Sequence, residues 1–407
     1  TMASMQRIGD EPFLLPYMQY DSAKYETYLE EKKEIMHDHF TALLDSLSDR
    51  TKYDIDIISS PATHSRQKCR FGIGRDDKPD YNGLVHMMWK FGGGPVIVVD
   101  AFPIASRPIY NMMSILLSII QSKPEYECMV AHFTSVSYLS TLSEHLLITM
   151  VYDRNEEDMT DRSASFCSED EWYSAAAKVL TELKGLNVPN VSKLSIIGRW
   201  KGVKIIVGQD YVYETLHLSD GRSLTYKQVE EGFSNPNSSV SCKALDWLCG
   251  IARIIVQEND EQNADAAMDL LEMYCGNGNH TCALAAYFSR ILAVEINPNL
   301  CAAAEENFKL NNITNAHVLV CDSAKFANQV LRTKKYALYA PTAESKESAA
   351  DSVKEDNVHE PANLSTRSKK KHAAALRHAQ RSTQNKNTAG VVRSQMPRAD
   401  AGRKDDE

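Results

Sequence analysis

Asp269-Leu-Leu-Glu-Met-Tyr-Cys-Gly-Asn-Gly-Asn279, followed by Leu292-Ala-Val-Glu-Ile296, is the stretch that decides the fold. Its apolar start reads as a strand buried on both faces. Cys275-Gly-Asn-Gly278 reads as a turn. A helix follows, then a second apolar strand ending in Glu295. Gly276 and Gly278 remove side chains where the chain must pass close to a bound group, and both permit positive φ. The helix after the turn points its free N–H groups at that group. Glu295 stands 19 residues after Gly276. A carboxylate there can accept hydrogen bonds from both hydroxyls of a ribose.

Dinucleotides and S-adenosyl-L-methionine (AdoMet) are both held by units of this kind. The third glycine of the dinucleotide fingerprint is missing, because Thr281 occupies its position. A diphosphate needs that closely packed loop, whereas AdoMet carries no phosphate. Asp322, one residue past the third strand, is placed to reach an adenine amino group. These features favour AdoMet over NAD. The plain alternative is a glycine turn joining any strand to a helix.

Around this stretch the pattern is strand–helix–strand–helix–strand. The strands are expected at Met268–Met273, Ile291–Glu295 and His317–Cys321, and the helices near Thr281–Tyr287 and Leu300–Leu310. This is the first half of a doubly wound α/β domain. Asn235-Pro-Asn237 caps a helix that runs to about Gln257. Residues 21–47 have helical period. Strands are expected at 53–59, Cys69–Ile73, Leu84–Trp89, Val96–Val99, His145–Tyr152, Lys193–Ile197, Gly202–Val207 and Tyr211–Leu216, with a turn at Gly92-Gly-Gly94. Helices are expected at Pro108–Gln121 and Glu169–Leu186. The fold class is therefore α/β: a strand-rich α+β domain over 21–235, then an incomplete Rossmann-like half-domain over 236–340. A flexible N-terminus (1–20) and a low-complexity segment (341–407) flank them. The latter is poor in aromatics and is expected to be disordered, with one short helix near Lys369–Arg381.

The net charge is −9 over 407 residues, yet Leu331–Glu407 holds 16 Lys/Arg against 10 Asp/Glu. An acidic bulk argues against indiscriminate nucleic-acid binding and leaves room for a local basic groove. The nine cysteines contain no C-x-x-C, so neither zinc nor an iron–sulfur cluster is expected. No run of eighteen apolar residues suggests a membrane span. The N-terminus lacks a hydrophobic signal core, so an intracellular, most simply cytoplasmic, protein is expected.

Leu270-Leu-Glu-Met-Tyr-Cys-Gly-Asn-Gly-Asn279 closely resembles the tRNA (uracil-5-)-methyltransferases. So does Tyr226-Lys-Gln-Val-Glu230 with Phe233 and Asn235-Pro-Asn237, although Asn235 stands where that family has Gln. Ile197-Gly-Arg199, Gln209-Asp-Tyr211, Tyr138-Leu-Ser-Thr-Leu-Ser143, Ser60-Pro61 with His64, and Asp100 with Phe102-Pro103 match as well. The resemblance runs from about Tyr20 to about Tyr339. It implies a class I AdoMet-dependent methyltransferase acting on the T-loop uridine of tRNA, behind an N-terminal RNA-recognition domain. The T arm of tRNA is the implied partner, with no membrane and no metal, and a monomer is expected. Gln228, Tyr274 and Asn279 are the implied AdoMet contacts, with Glu295 holding the ribose.

In that family a Cys thiolate adds to C6 of uracil, making C5 nucleophilic toward the sulfonium methyl. A carboxylate base then removes the C5 proton. The family's Asp-Pro-Pro-Arg and Ser-Cys-Asn-Pro motifs and late Glu do not occur in these 407 residues. No catalytic residue is therefore assigned, and the sequence is expected to be inactive as it stands. Cys275, Cys242 and Cys249 read as packing residues, and Cys321 as lying on the adenine side. A non-catalytic RNA-binding paralogue, or a fragment, is the alternative, with an NAD enzyme behind it. Arg66, Lys68, Arg70 and Phe71 suit phosphates and a stacked base. They suit a solvated edge strand equally. Phe133 lies near an aromatic used by the family. Lys369-Lys-Lys371 adds positive charge to the tail.

Overall fold

The computed structural model of the protein describes residues 6–7, 20–44, 56–78, 81–89, 96–153, 167–262 and 267–333. The Gly92–Gly94 turn, the low-complexity segment with its expected helix, the Lys369–Lys371 cluster and nearly all of 1–20 lie outside them.

Eight strands build a mixed sheet in the order β1-β4-β3-β2-β5-β6-β7-β8. Its strands are β1 (Gln6–Arg7), β2 (Lys68–Lys78), β3 (Tyr81–Trp89), β4 (Val96–Val98), β5 (Phe133–Ser140), β6 (His145–Tyr152), β7 (Lys193–Trp200) and β8 (Val203–Val207). Helix α1 (Tyr25–Leu44) precedes the sheet, and Tyr25 donates its hydroxyl to the Ser60 carbonyl. Helix α2 (Arg107–Ser122) buries Ile109, Met112, Met113, Leu116, Leu117 and Ile120, spaced three and four apart. The short α3 (Glu127–Val130) leads into β5.

Strands β6 and β7 run parallel, so their connection must cross over. Helix α4 (Glu169–Gly185) makes that crossover and buries Trp172, Ala176, Val179 and Leu183. It starts with a reciprocal capping box between Ser168 and Glu171. Trp172 explains Gly198: a Cβ there would lie 2.6 Å from the indole ring.

Strands β9 (Tyr211–His217) and β10 (Ser223–Val229) form a separate hairpin. Helix α5 (Ser238–Gln262) follows, capped by Asn237, whose Oδ1 accepts from Val240 N at 3.1 Å. Then comes the parallel sheet β11 (Asp269–Met273), β12 (Arg290–Glu295) and β13 (Ala316–Val320). Helices α6 (Asn279–Leu284), α7 (Pro298–Leu310) and α8 (Ser323–Thr333) alternate with its strands. The free edge of β10 is satisfied by side chains, not by another strand. Asn307 of α7 accepts from Lys227 N at 2.7 Å, and Asn311, just past α7, accepts from Thr225 N at 2.8 Å.

The expected strand at 53–59 is corrected: Asp56–Ser60 carries no strand, and 51–55 lie outside the described residues. Strands β5 and β10 and helices α3 and α8 were not foreseen. Serines and threonines hid the periodicity of β5, six of whose eight positions are buried. Among the described residues, no helix is long and apolar enough to cross a membrane.

Candidate cofactor site

The loop after β11 is built on left-handed backbone. Tyr274, Gly276 and Gly278 have φ of 60°, 58° and 77°. The two glycines are needed for different reasons. A Cβ on Gly278 would lie 2.8 Å from the Phe308 ring, so this glycine lets α6 and α7 approach. A Cβ on Gly276 would meet nothing within 4 Å, so its bare side faces open space. Cys275 N donates to the Val294 carbonyl, which holds the loop against the tip of β12.

Glu295 is 9% exposed at that tip. Its Oε2 accepts from Gly276 N at 3.1 Å and its Oε1 from Asn297 N at 2.8 Å. The carboxylate thus braces the glycine loop, a role the sequence reading did not contain. Each oxygen keeps a second lone pair, so the expected ribose contact stays chemically open. Asn277, between the glycines, was missed. It is buried, its Nδ2 donates to the Lys227 carbonyl at 3.1 Å, and its own carbonyl accepts from Asn307 Nδ2 at 2.8 Å. A polar residue in a turn flanked by apolar strands was the signal available. Asn279 donates to Ser241 Oγ at 3.5 Å, and its carbonyl accepts from the Tyr226 hydroxyl at 3.0 Å.

A cavity of about 360 Å³ lies between the β9–β10 hairpin, the start of α5 and this loop. Gln228, Tyr274, Gly276 and Asn279 all line it. Gly278, Glu295 and Asp322 do not border it directly. Gly278 sits at the N-terminus of α6. Asp322 accepts from Lys325 N at 2.8 Å and so caps α8. Tyr274 and Phe233 flank the opening, 72% and 79% exposed. The bare side of Gly276, the exposed Tyr274 ring and the free lone pairs of Glu295 fit a nucleoside-sized cofactor.

At the inner wall of the cavity lies Glu214, 1% exposed. It accepts from Leu142 N at 2.9 Å, Ser238 Oγ at 2.5 Å and Gln67 Nε2 at 3.2 Å. Burial pushes its carboxyl up to about 7, against the pull of those donors. The sequence offered no signal for it beyond an acid inside a strand.

Five thiols around the site, Cys242, Cys249, Cys275, Cys282 and Cys301, are not activated. Burial pushes the Cys275 and Cys282 thiols well above the ordinary range, and Cys301 up to about 11. Cys242 and Cys249 are raised by burial too. A nucleophilic cysteine needs the opposite shift. Among the described residues, no cluster of His, Cys, Asp and Glu is arranged to hold a metal ion.

The two aromatic side chains expected to meet RNA are corrected. Phe71 is 1% exposed, packed edge-on against His86 and Phe102. Phe133 is buried against Tyr152. Neither presents a face on which a base can stack, because both point to the core side of the large sheet. Arg66 and Arg70 are exposed. Lys68 is half-buried and donates to the Gly232 carbonyl at 2.7 Å; burial holds its pKa below the usual lysine value.

A parallel half-sheet with a left-handed glycine loop and an acid at the tip of its second strand defines a Rossmann-like cofactor-binding protein. The chain belongs to the tRNA (uracil-5-)-methyltransferase family, whose model matches residues 24–340. It is 34% identical over 311 residues to the tRNA/tmRNA (uracil-C(5))-methyltransferase of Haemophilus influenzae, covering 76% of this chain and 74% of that protein. It is 31% identical over 313 residues to the Neisseria meningitidis protein of the same name, covering 77% of this chain and 75% of that one. Among solved structures, it is similar to the Pyrococcus abyssi tRNA (uracil-54, C5)-methyltransferase in complex with S-adenosyl-L-homocysteine. There the identity is 14% and the TM-score 0.45, over 73% of this chain and 63% of that chain. By family, the chain is an AdoMet-dependent tRNA methyltransferase.

Proposed function

We propose that the cavity between the β9–β10 hairpin and the glycine loop holds one end of AdoMet, whose nucleoside extends past Gly276 to Glu295 at the tip of β12. Gln228, Tyr274, Gly276 and Asn279 contact the cofactor, Glu295 accepts from its ribose, and Gly278 and Asp322 shape the surrounding backbone. The observation that supports this most is convergence. Gln228 and the loop residues are separated by more than forty positions, yet they line one cavity. The substrate reading is the T-loop uridine of tRNA, at position 54. Residues 21–235 recognise the RNA, with Arg66, Lys68 and Arg70 meeting its phosphates, and residues 236–340 carry the cofactor. AdoMet would supply the methyl group. These residues bind and orient it, and the attack on the base is assigned to none of the 407.

Isothermal titration with S-adenosyl-L-homocysteine and with NAD tests the cofactor reading. Binding of the first and not of the second is the expected result. NAD binding alone would sink it. The T-loop reading is tested by filter binding of a tRNA against the same tRNA lacking its T arm. Equal affinity for both would overturn it. A second reading, an RNA-binding protein without methyl transfer, is favoured by the buried, raised thiols around the site. Formation of 5-methyluridine by the purified chain would exclude that reading.

A further inference from the structure

We propose that Glu214 is a positioning residue that fixes the shape of the cofactor pocket by joining the large sheet to the glycine loop. Three segments far apart in sequence meet on its carboxylate. They are Gln67 at the entry to β2, Leu142 in the β5–β6 turn, and Ser238 at the first turn of α5. Gln67 closes the cluster: its Oε1 accepts from Ser238 N at 2.7 Å, and its N donates to the Pro236 carbonyl at 2.7 Å. The cavity-lining segment 233–238 is thereby held against the large sheet.

Two routes lead from Glu214 to Asn279. The first runs through the first turn of α5, where Ser241 Oγ accepts from Asn279 Nδ2 at 3.5 Å. The second runs across the hairpin. Glu214 is paired with Tyr226, whose hydroxyl donates to the Asn279 carbonyl at 3.0 Å. A buried, fully engaged carboxylate makes this junction rigid, and losing one acceptor leaves a donor unpaired.

Glu214→Gln keeps the size of the side chain and turns one acceptor oxygen into an NH2 group. That group then faces Gln67 Nε2 and Ser238 Oγ. Rotating the Gln67 amide relieves the clash only by abandoning Ser238 N. The double variant Gln67→Glu with Glu214→Gln moves the carboxylate across the same hydrogen bond. The NH2 group at 214 donates to it and to Ser238 Oγ, which now accepts instead of donating, and the Leu142 and Ser238 backbone N–H groups keep their acceptors.

This inference rests on the cofactor reading for its ligand and on the protein alone for its second readout. S-adenosyl-L-homocysteine is titrated into the full chain and its variants well below their melting temperatures. Amide hydrogen exchange of Tyr274–Asn279 is measured without ligand. E214Q is expected to bind about tenfold more weakly and to exchange faster in the loop, Ser238→Ala to do the same less strongly, and the double variant to recover both. If the wild-type chain binds no ligand, the cofactor reading fails and loop exchange still decides the role of Glu214. Wild-type loop exchange in both E214Q and S238A would overturn the proposal, as would failure of the double variant to recover it. Should E214Q not fold, S238A and the double variant carry the same comparison.

Discussion

Arg199 grips Glu230 with two prongs: its Nε and one terminal nitrogen each lie 2.6 Å from a different carboxylate oxygen. Glu230 is 3% exposed at the side chain, and Thr149 and Lys204 also reach it. Burial alone would raise the carboxyl, but hydrogen bonds and charge from Arg199 and Lys204 outweigh it and hold the pKa below the usual value. The pair joins β7 of the large sheet to the end of β10. It places the strand that carries Gln228.

Removing Arg199 leaves a buried carboxylate with reduced compensation. Arg199→Ala is expected to destabilise the protein by about 3 kcal/mol in urea unfolding. Arg199→Lys keeps the charge and loses the fork, so it should cost less. An R199A variant unfolding at the wild-type urea midpoint would show that the pair is only ornamental.

The two glycines of the loop should separate stability from affinity. Gly278→Ala adds a methyl 2.8 Å from Phe308 on left-handed backbone, and is expected to cost about 2–4 kcal/mol. Gly276→Ala meets no neighbour and should cost about 1 kcal/mol in stability. It places a methyl where the pocket is bare, so S-adenosyl-L-homocysteine affinity should fall by more than tenfold. Thermal melts and titrations of both variants would check this. Equal effects on melting temperature would contradict the division of roles.

Glu214 gives a signed pH prediction. Its folded pKa of about 7 lies above the unfolded carboxyl value, so the folded state binds a proton the unfolded state releases. Its contribution to stability is fully present below the unfolded pKa and is lost as pH rises through about 7. Wild type should lose on the order of 3 kcal/mol relative to E214Q between roughly pH 4.5 and pH 7. Taking the difference between the two proteins cancels His145 and His280, which titrate nearby. A difference that does not vary with pH would mean Glu214 titrates normally.

Much of the cofactor half was legible because its physics is local. Apolar runs, two glycines and an acid at fixed spacing placed β11, the loop and the position of Glu295 at a strand tip. The expected burial of β11 on both faces is corrected, since none of its five residues is buried and Leu271 is 48% exposed. What escaped depends on partners distant in sequence. Nothing near Glu214 announces that Gln67, Leu142 and Ser238 will meet it. The basic run Arg66–Arg70 suggested a base platform, but alternation in β2 turns Phe71 inward while Arg70 stays outside. An aromatic beside cations is read correctly only when the face of its strand is known. The Asn307 and Asn311 amides that finish the edge of β10 look like ordinary polar residues of a helix end.

Glu295 supplies the sharpest test of cofactor type. Its two oxygens each hold one backbone N–H and keep one lone pair. Glu295→Gln retains the shape and can keep one of those contacts. Its NH2 group then opposes the N–H of either Gly276 or Asn297. The loop should stay folded, at a cost of about 1–2 kcal/mol. Ribose hydroxyls would lose a charged acceptor, and charge-assisted hydrogen bonds are roughly twice as strong as neutral ones. S-adenosyl-L-homocysteine binding should weaken by about 10–100-fold. Methylthioadenosine, which keeps the ribose and lacks the amino-acid end, should weaken by the same factor. If only S-adenosyl-L-homocysteine were affected, Glu295 would be reading the amino-acid end and the ribose assignment would be wrong.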